Sequence, residues 1–196
     1  PAYRLYELEY ALNKVACKAI ISAESFKTSH YLEMLRTVAP ELEHCETGAL
    51  NAAKLPHLKH VIRMGSGESP GMHNFAAVCE LGGATEFARL AQIEPQLDAN
   101  DAINIQFTSG TTGNPKGATL THRNILNNAY FVGQNMRLSA ADRLCIPVPL
   151  YHCFGMVMGT LCCISHGATM VLPCEAFEPK PVLQAVQDEK CTALHG

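Results

Sequence analysis

Residues 108–122 read TSGTTGNPKGATLTH, a run of hydroxyl side chains and glycines with one cation and little to bury. Glycines let a backbone approach a ligand without a Cβ in the way, and successive backbone amides can form a concavity that binds anions. Lys116 adds a compact positive charge on a flexible stem, and the preceding Pro115 restricts the backbone beside it. The stretch therefore favours a loop that binds a polyphosphate, with a plain polar turn as the alternative.

Two better-known phosphate loops do not fit this stretch. The Walker pattern G-x-x-x-x-G-K-[ST] fails because Pro115 precedes Lys116 and Gly117 follows it. The dinucleotide fingerprint G-x-G-x-x-G also fails here. Upstream, Gly65-Ser66-Gly67 is followed by Pro70 within its spacing, so we interpret it as a surface loop.

Three segments carry a resemblance to a known family. Residues 108–117 match [ST]-[ST]-G-T-[TS]-G-x-P-K-G at every fixed position. They resemble the phosphate loop of the acyl-adenylate-forming enzymes, which include acyl- and aryl-CoA synthetases, luciferases and peptide-synthetase adenylation domains. Residues 149–155, PLYHCFG, resemble the family's next motif, and residues 1–12 are similar to a segment after an early motif. The spellings most resemble the medium-chain fatty-acyl-CoA synthetases.

This resemblance implies both the fold and its extent. The fold is α/β, the layered αβαβα-type N-terminal domain of acyl-CoA synthetases with a mostly parallel sheet, present only in part. Residues 1–196 would then be a partial AMP-binding (adenylation) domain without the C-terminal catalytic subdomain. The family's adenine, ribose and main Mg²⁺ ligands and its catalytic lysine would lie beyond Gly196. We therefore expect the chain alone to make no acyl-CoA.

The resemblance also implies a reaction and its site residues. A carboxylate attacks the α-phosphorus of ATP to give acyl-AMP and pyrophosphate, and the thiol of coenzyme A then displaces AMP. Mg²⁺ would bridge the phosphates, with the Thr112 hydroxyl as a metal ligand. The acyl or adenylate pocket would be lined by His152, Phe154 and Gly155. The residues implied to bind ATP are Thr108, Ser109, Gly110, Thr111, Thr112, Gly113, Asn114, Pro115 and Lys116.

Other polar side chains receive no role in this chemistry. No catalytic residue is expected within the chain, and no cysteine nucleophile, because the reaction needs no covalent enzyme intermediate. His122 and Arg123 are expected to cap the next helix and to face solvent, and His166 and His195 are expected only to pack. His195-Gly196 nevertheless borders what the resemblance makes pocket lining.

Composition limits the class of protein. An apolar content of 47% excludes disorder, and 196 residues suit one domain. A net charge of −3 without a basic cluster argues against nucleic acid as a partner. The implied partners are small molecules (a fatty acid, ATP and coenzyme A), and a homo-oligomer is left open.

The nine cysteines indicate a reducing compartment, because they are odd in number, irregularly spaced and without a C-x-x-C pair. Cys153, Cys162 and His166 come nearest to a zinc-ligand pattern, but we favour buried thiols instead. No basic region followed by an apolar stretch marks a secretory signal. We expect a cytoplasmic protein, with the mitochondrial matrix as the alternative.

Apolar spacing predicts alternating helices and strands, and hence parallel strand pairing. Thr28 or Ser29 is expected to cap a helix that Pro40 ends, with Leu32, Leu35 and Val38 buried. Thr121 is expected to cap the helix after the loop. The remaining predicted helices are 4–14, 75–81, 85–93, 153–166 and one opened by Pro179 and Pro181; the predicted strands are 18–23, 57–63, 102–107, 142–149 and 168–172.

Several faces are expected to be buried. The helix after Thr121 should present Ile125, Leu126, Ala129, Val132 and Met136 on one side, and the helix from Pro179 should bury Val182, Leu183 and Val186. The uncharged stretch between Arg143 and Glu175 is broken by prolines and glycines, whereas a membrane span needs about 20 continuous apolar residues. We predict no transmembrane segment there.

Rival functions stay open at this level. An aryl-CoA ligase or an adenylation domain that loads a carrier protein would keep the first step and change the acid or the acceptor. A nucleotide-binding module without catalysis belongs to another class. A purely structural α/β domain would leave residues 108–117 unexplained.

Overall fold

A computed structural model describes residues 3–108 and 114–196. The chain divides into two compact units, Pro1–Pro95 and Gln96–Gly196, which we call the first and the second unit. Each unit has its own buried apolar cluster or clusters.

The first unit combines helices with a small parallel sheet. Three strands pair in the order β1-β4-β5, all parallel, and β2 and β3 form a short antiparallel pair. Short 3₁₀ turns follow at Pro40–Glu43 and Glu94–Gln96. The elements are α1 (Leu5–Lys14), β1 (Ala19–Ser22), β2 (Ser25–Phe26), β3 (Ser29–His30), α2 (Tyr31–Val38), β4 (His60–Arg63), β5 (His73–Asn74), α3 (Phe75–Cys79) and α4 (Ala84–Ile93).

The start of α2 differs from the prediction. The cap residue is His30, without a side-chain cap hydrogen bond, so neither Thr28 nor Ser29 caps the helix. Ser29 is instead a buried strand residue, which pairs with Phe26 in the β2–β3 hairpin. Pro40 opens the 3₁₀ turn after the helix has ended at Val38.

The core of the first unit confirms the predicted stripe of α2. Leu32, Leu35 and Val38 are all buried. β4 is shorter than predicted, since Leu58 N donates to Leu55 O in a turn before it. The buried cluster consists of Leu12, Leu32, Leu35, Val38, Ala39, Leu42, Leu50, Ala52, Leu55, Leu58, Val61 and Met72.

The second unit contains a three-stranded parallel sheet, an antiparallel hairpin and a run of helices. The sheet has the order β10-β8-β9, and β6 pairs with β7 in the hairpin. The elements are β6 (Ala102–Phe107), β7 (Gly117–Thr121), α5 (His122–Met136), β8 (Arg143–Cys145), a π-helix (Phe154–Leu161), α6 (Cys162–His166), β9 (Thr169–Val171), α7 (Pro179–Asp188) and β10 (Ala193–Leu194).

The α/β fold class with mostly parallel sheets is confirmed, since both three-stranded sheets are wholly parallel. The expected parallel pairing is wrong for the strand before the loop. β6 pairs antiparallel with β7, a strand that the sequence analysis did not predict. The reason is local: a chain that reverses through a short loop returns beside the strand it has just left.

The predicted helix at 153–166 is confirmed, but its first part is a π-helix. Two leucines expected in the core are exposed: Leu126 at 52% and Leu183 at 66%. The strand predicted at 168–172 is shorter, and Thr169 and Met170 on it are exposed rather than buried. Within the described residues, no helix has both the length and the apolar character to cross a membrane.

Candidate functional site

The neck of the 108–117 loop is closed by a reciprocal pair of hydrogen bonds. Thr108 N donates to Lys116 O at 2.9 Å, and Lys116 N donates to the Thr108 hydroxyl oxygen at 3.3 Å. Phe107 and Gly117 face each other as the last pair of the hairpin. The two ends of the loop are therefore held together by one backbone hydrogen bond and one bond to the Thr108 side chain. The predicted ligands Ser109, Gly110, Thr111, Thr112 and Gly113 lie outside the described residues.

The neck presents its one cation to solvent. Lys116 is exposed, and in the described part of the chain no carboxylate pairs with its ammonium group. Asn114 is exposed and Pro115 half-buried beside it. An ammonium group that is not engaged by a neighbouring carboxylate can bind an incoming anion without first breaking an ion pair.

The hairpin leads directly into α5 through a capped turn. Thr121 is the N-cap, as predicted: its hydroxyl oxygen accepts from Asn124 N at 3.1 Å, while Asn124 Oδ1 accepts from Thr121 N at 3.0 Å. Arg123 Nε donates to Asn100 Oδ1 at 2.9 Å on the segment before β6. His122 and Arg123 are exposed, as expected, but neither is the cap, because the helix begins at His122. These bonds hold the junction at which the hairpin continues into α5.

The second motif, Pro149–Gly155, folds on itself as a tight turn. His152 N donates to Pro149 O at 3.1 Å, and His152 Nδ1 accepts from Phe154 N at 3.1 Å. A backbone N–H can only donate, so Nδ1 must carry its lone pair. The neutral imidazole then carries its proton on Nε2. The His152 residue itself is exposed.

Gly155 occupies a place that no other residue fits. A Cβ built on it would lie 2.4 Å from Pro149 O and 2.7 Å from Pro149 C, both backbone atoms. The turn therefore needs a residue without a side chain here, because backbone atoms cannot move aside as a flexible side chain can. Phe154, next to it, is half-buried, and its ring lies 4.9 Å from the His195 ring, measured between centroids.

An apolar cluster connects the hairpin to the helix that follows the second motif. Leu120 of β7 packs with Ile125 and Ala129 of α5 and with Val157 of the π-helix. Both β7, which follows the 108–117 loop, and the helix that starts at Phe154 therefore pack against the same face of α5. Both sequence motifs belong to one unit, as the proposal of a shared site requires.

Sequence reasoning missed two buried polar residues. His195, expected only to pack, is 7% exposed and makes a 2.9 Å hydrogen bond through Nε2 to Met158 O. Arg63, at the end of β4, is 6% exposed. Its position two residues after the buried Val61 places it on the same face of the strand, which was the available signal.

Arg63 organises the loop that contains Gly65-Ser66-Gly67. Its guanidinium donates to Glu68 O at 2.9 Å and to the Ser69 hydroxyl at 3.1 Å. It also pairs with Glu24 at 2.9 Å, beside a polar cavity of about 170 Å³. A Cβ on Gly67 would lie 2.6 Å from its Nη1. The segment is a loop, as predicted, and the residues after it accept hydrogen bonds from the buried Arg63 guanidinium.

The thiols are free and are held in their protonated form where they are buried. None of the nine cysteines forms a disulfide. Burial, with the neighbouring Cys162 as a second cause, raises the pKa of Cys163 to about 11. Burial likewise raises the pKa of Cys162. Across residues 3–108 and 114–196, no group of three or more His, Cys, Asp or Glu side chains is arranged to hold a metal ion.

Comparison with known proteins gives a match over the whole chain. The model of the family described as "AMP-binding enzyme" matches residues 1–196. The chain is 42% identical over 200 residues to the mitochondrial medium-chain acyl-CoA ligase ACSF2 of Danio rerio, covering 100% of this chain and 32% of that protein. The corresponding Rattus norvegicus protein is 45% identical over 201 residues, with 100% and 32% covered. The chain thus spans about a third of the length of these relatives.

Solved structures agree with the fold. A crystal structure of the anthranilate CoA ligase AuaEII with anthranoyl-AMP has a TM-score of 0.73 at 21% identity, covering 100% of this chain and 33% of that one. ATP-bound MatB from Rhodopseudomonas palustris has a TM-score of 0.69 at 22% identity, covering 100% and 32%. At these identities the likeness concerns the fold alone.

Proposed function

The chain belongs to the AMP-binding enzyme family, and we propose that the longer protein carrying it is an ATP- and Mg²⁺-dependent fatty acid–CoA ligase. The observation that carries the proposal is the neck of the loop, which is closed by two hydrogen bonds between Thr108 and Lys116 while the Lys116 residue is exposed. The relatives named medium-chain acyl-CoA ligases support a fatty acid as the acid that is activated.

The loop would hold the β- and γ-phosphates of ATP while the carboxylate attacks the α-phosphorus. Negative charge develops on the departing pyrophosphate, and Lys116 with the loop amides would stabilise it electrostatically. Mg²⁺ would arrive with ATP as part of the substrate, and Thr112 is the proposed oxygen ligand from this chain. The contribution of this segment is positioning and charge neutralisation rather than covalent catalysis.

The second motif would bind the acid. The Nε2–H of the exposed His152 would suit an oxygen acceptor, such as that of the carboxylate or the acyl-adenylate. Phe154 would supply an apolar wall, and Gly155 keeps the turn tight enough to present both side chains. No general-base role is proposed for His152.

Two further proposals concern the chain and its place in the cell. We propose that residues 1–196 alone make no acyl-CoA, because the adenine-binding and lysine motifs implied by the family resemblance lie outside them. We also propose a mitochondrial location, the alternative to the cytoplasmic one predicted first, because the ACSF2 relatives are named as mitochondrial.

The test is acid-dependent exchange of labelled pyrophosphate into ATP by the complete protein. A panel of straight-chain acids should support exchange and, with coenzyme A added, thioester formation. Preference for benzoate-type acids would favour the aryl-CoA ligase, and transfer only to a carrier protein would favour the loading domain. ATP binding without any exchange would contradict the proposal and leave a non-catalytic module. The isolated 196-residue chain is the comparison sample, and thioester formation by it would refute its proposed inactivity.

A further inference from the structure

We propose that His195 is a positioning residue for the acid-binding wall, because it fixes the ring of Phe154 and the first turn of the π-helix. The proposal rests on the proposed function, in which Phe154 lines the acid pocket. Its consequence is that His195 governs how tightly the enzyme binds its acid and which chain lengths it prefers, although it need not touch the acid itself.

The backbone of His195 is held by the parallel sheet. His195 N donates to Cys145 O at 3.0 Å, directly after β10 pairs with β8 through Leu194 and Cys145. The side chain is buried, with 7% of the residue exposed. An anchor on a sheet is more rigid than one on a loop, so the imidazole is a fixed reference point for whatever it contacts.

The imidazole contacts the π-helix at two points about one turn apart. Nε2 donates to Met158 O at 2.9 Å, and since a carbonyl can only accept, Nε2 carries the proton. The ring faces Phe154 at a centroid distance of 4.9 Å and an interplanar angle of 60°, within the range of favourable aromatic pairs. One side chain therefore holds both the main chain of the helix and the side chain of its first residue.

Phe154 is thus held from two sides. His152 accepts the hydrogen bond of its backbone N–H, and His195 packs on its ring. The helix that begins at Phe154 is a π-helix over Phe154–Leu161, a geometry that is rare and occurs frequently at functional sites. An apolar acid makes few directional contacts, so its affinity depends on a wall that is already in place before it binds.

The test compares three substitutions in the complete protein by pyrophosphate exchange. His195→Ala removes both contacts, His195→Phe keeps an aromatic ring without the donor, and His195→Gln keeps a donor without the ring. We expect His195→Ala to raise the KM for the acid about ten-fold, from the loss of one hydrogen bond and one ring contact, and to flatten the chain-length preference. The KM for ATP should change less than about two-fold, since in this proposal His195 acts through the acid-binding wall.

His166→Ala is the matched control. His166 also combines a ring contact, 5.3 Å from Tyr130, with a hydrogen-bond-length contact of 3.1 Å between Nδ1 and Cys162 O, but it lies on α6 and does not reach Phe154. Its substitution should leave the chain-length preference unchanged. If His195→Ala does not fold, the Phe and Gln variants carry the test through the same ratio of acid KM to ATP KM.

The outcomes separate this proposal from the proposed function. If the wild-type protein shows no acid-dependent exchange, the proposed function fails and the positioning role fails with it. If the wild type is active but the folded His195 variants keep its acid KM and chain-length preference, only the positioning role is overturned. A parallel rise in the KM for acid and for ATP would also overturn it, because that pattern indicates general structural damage.

Discussion

The two candidate binding segments of the second unit are built in opposite ways. At the loop neck, two hydrogen bonds join Thr108 and Lys116, and the charged group is left exposed. From Pro149 to Met158 the chain is closed on itself by His152 and clamped by His195. Charge-assisted hydrogen bonds are strong and directional, so a polyphosphate can order the protein groups that bind it. An apolar tail brings no such contacts, and its site must be shaped beforehand.

The largest effect should come from the exposed cation. Lys116→Ala in the complete protein is expected to slow adenylation by roughly one to two orders of magnitude, because a hydrogen bond to a charged group is worth about 1.5–3 kcal/mol. Lys116→Arg should retain part of the rate, since the charge is kept and the geometry changes. Pyrophosphate exchange measures both. The control is Lys180→Ala, an exposed lysine on α7. Unchanged exchange in Lys116→Ala would remove the loop from the mechanism.

A second substitution separates the two roles of His152. His152→Ala should slow adenylation about ten-fold, the effect of losing a hydrogen bond of about 1.5 kcal/mol. His152→Asn offers an oxygen that can still accept from Phe154 N but no donor in the place of Nε2–H. We expect Asn to be as slow as Ala. Recovery of the wild-type rate in Asn would show that His152 only closes the turn.

The stability of the protein should be sensitive to overpacking in the segment from Pro149 to Met158. Gly155→Ala places a Cβ 2.4 Å from Pro149 O, and we expect it to lower the free energy of unfolding by about 1–3 kcal/mol, as overpacking does. Gly82→Ala is the matched control, because a Cβ there has no neighbour within 4 Å among the described residues. Denaturant titration of the two variants gives the comparison. Equal stabilities would mean that the turn at Pro149 is not tightly packed.

The smallest effect concerns the junction between the hairpin and α5. Thr121→Ala removes the N-cap oxygen and should lower the free energy of unfolding by about 1 kcal/mol, whereas Thr121→Ser keeps the oxygen and should stay close to wild type. Both are measured by thermal or denaturant unfolding. An Ala variant as stable as the Ser variant would show that the cap contributes nothing.

The main helices and the longer strands were predictable because they depend on local spacing. The α/β class, helix α1 and the Thr121 cap all follow from residues close together in sequence. β7 was not predictable in the same way, because all its residues except Leu120 are small or polar and most are exposed, like those of a loop. Leu126 and Leu183 were misplaced because periodicity identifies an apolar face without identifying its neighbours.

The site was predictable as a set of motifs and less so as a set of contacts. The resemblance selected His152, Phe154 and Gly155, but the reason for Gly155 is a backbone contact that only coordinates reveal. His195 meets Phe154 only because β10 returns beside β8, far along the chain. Arg63 is similar in its pairing with Glu24, which lies 39 residues away in the sequence. Such pairings depend on tertiary structure and leave no local signal.

The central claim is that the Thr108–Lys116 segment binds the β- and γ-phosphates of ATP. A crystal structure of the complete protein with ATP and Mg²⁺ tests it most directly. We predict that oxygens of the β- and γ-phosphates lie within hydrogen-bonding distance of Lys116 Nζ and of the loop above its neck. A triphosphate bound at another part of the protein, with Lys116 pointing into solvent, would contradict the account.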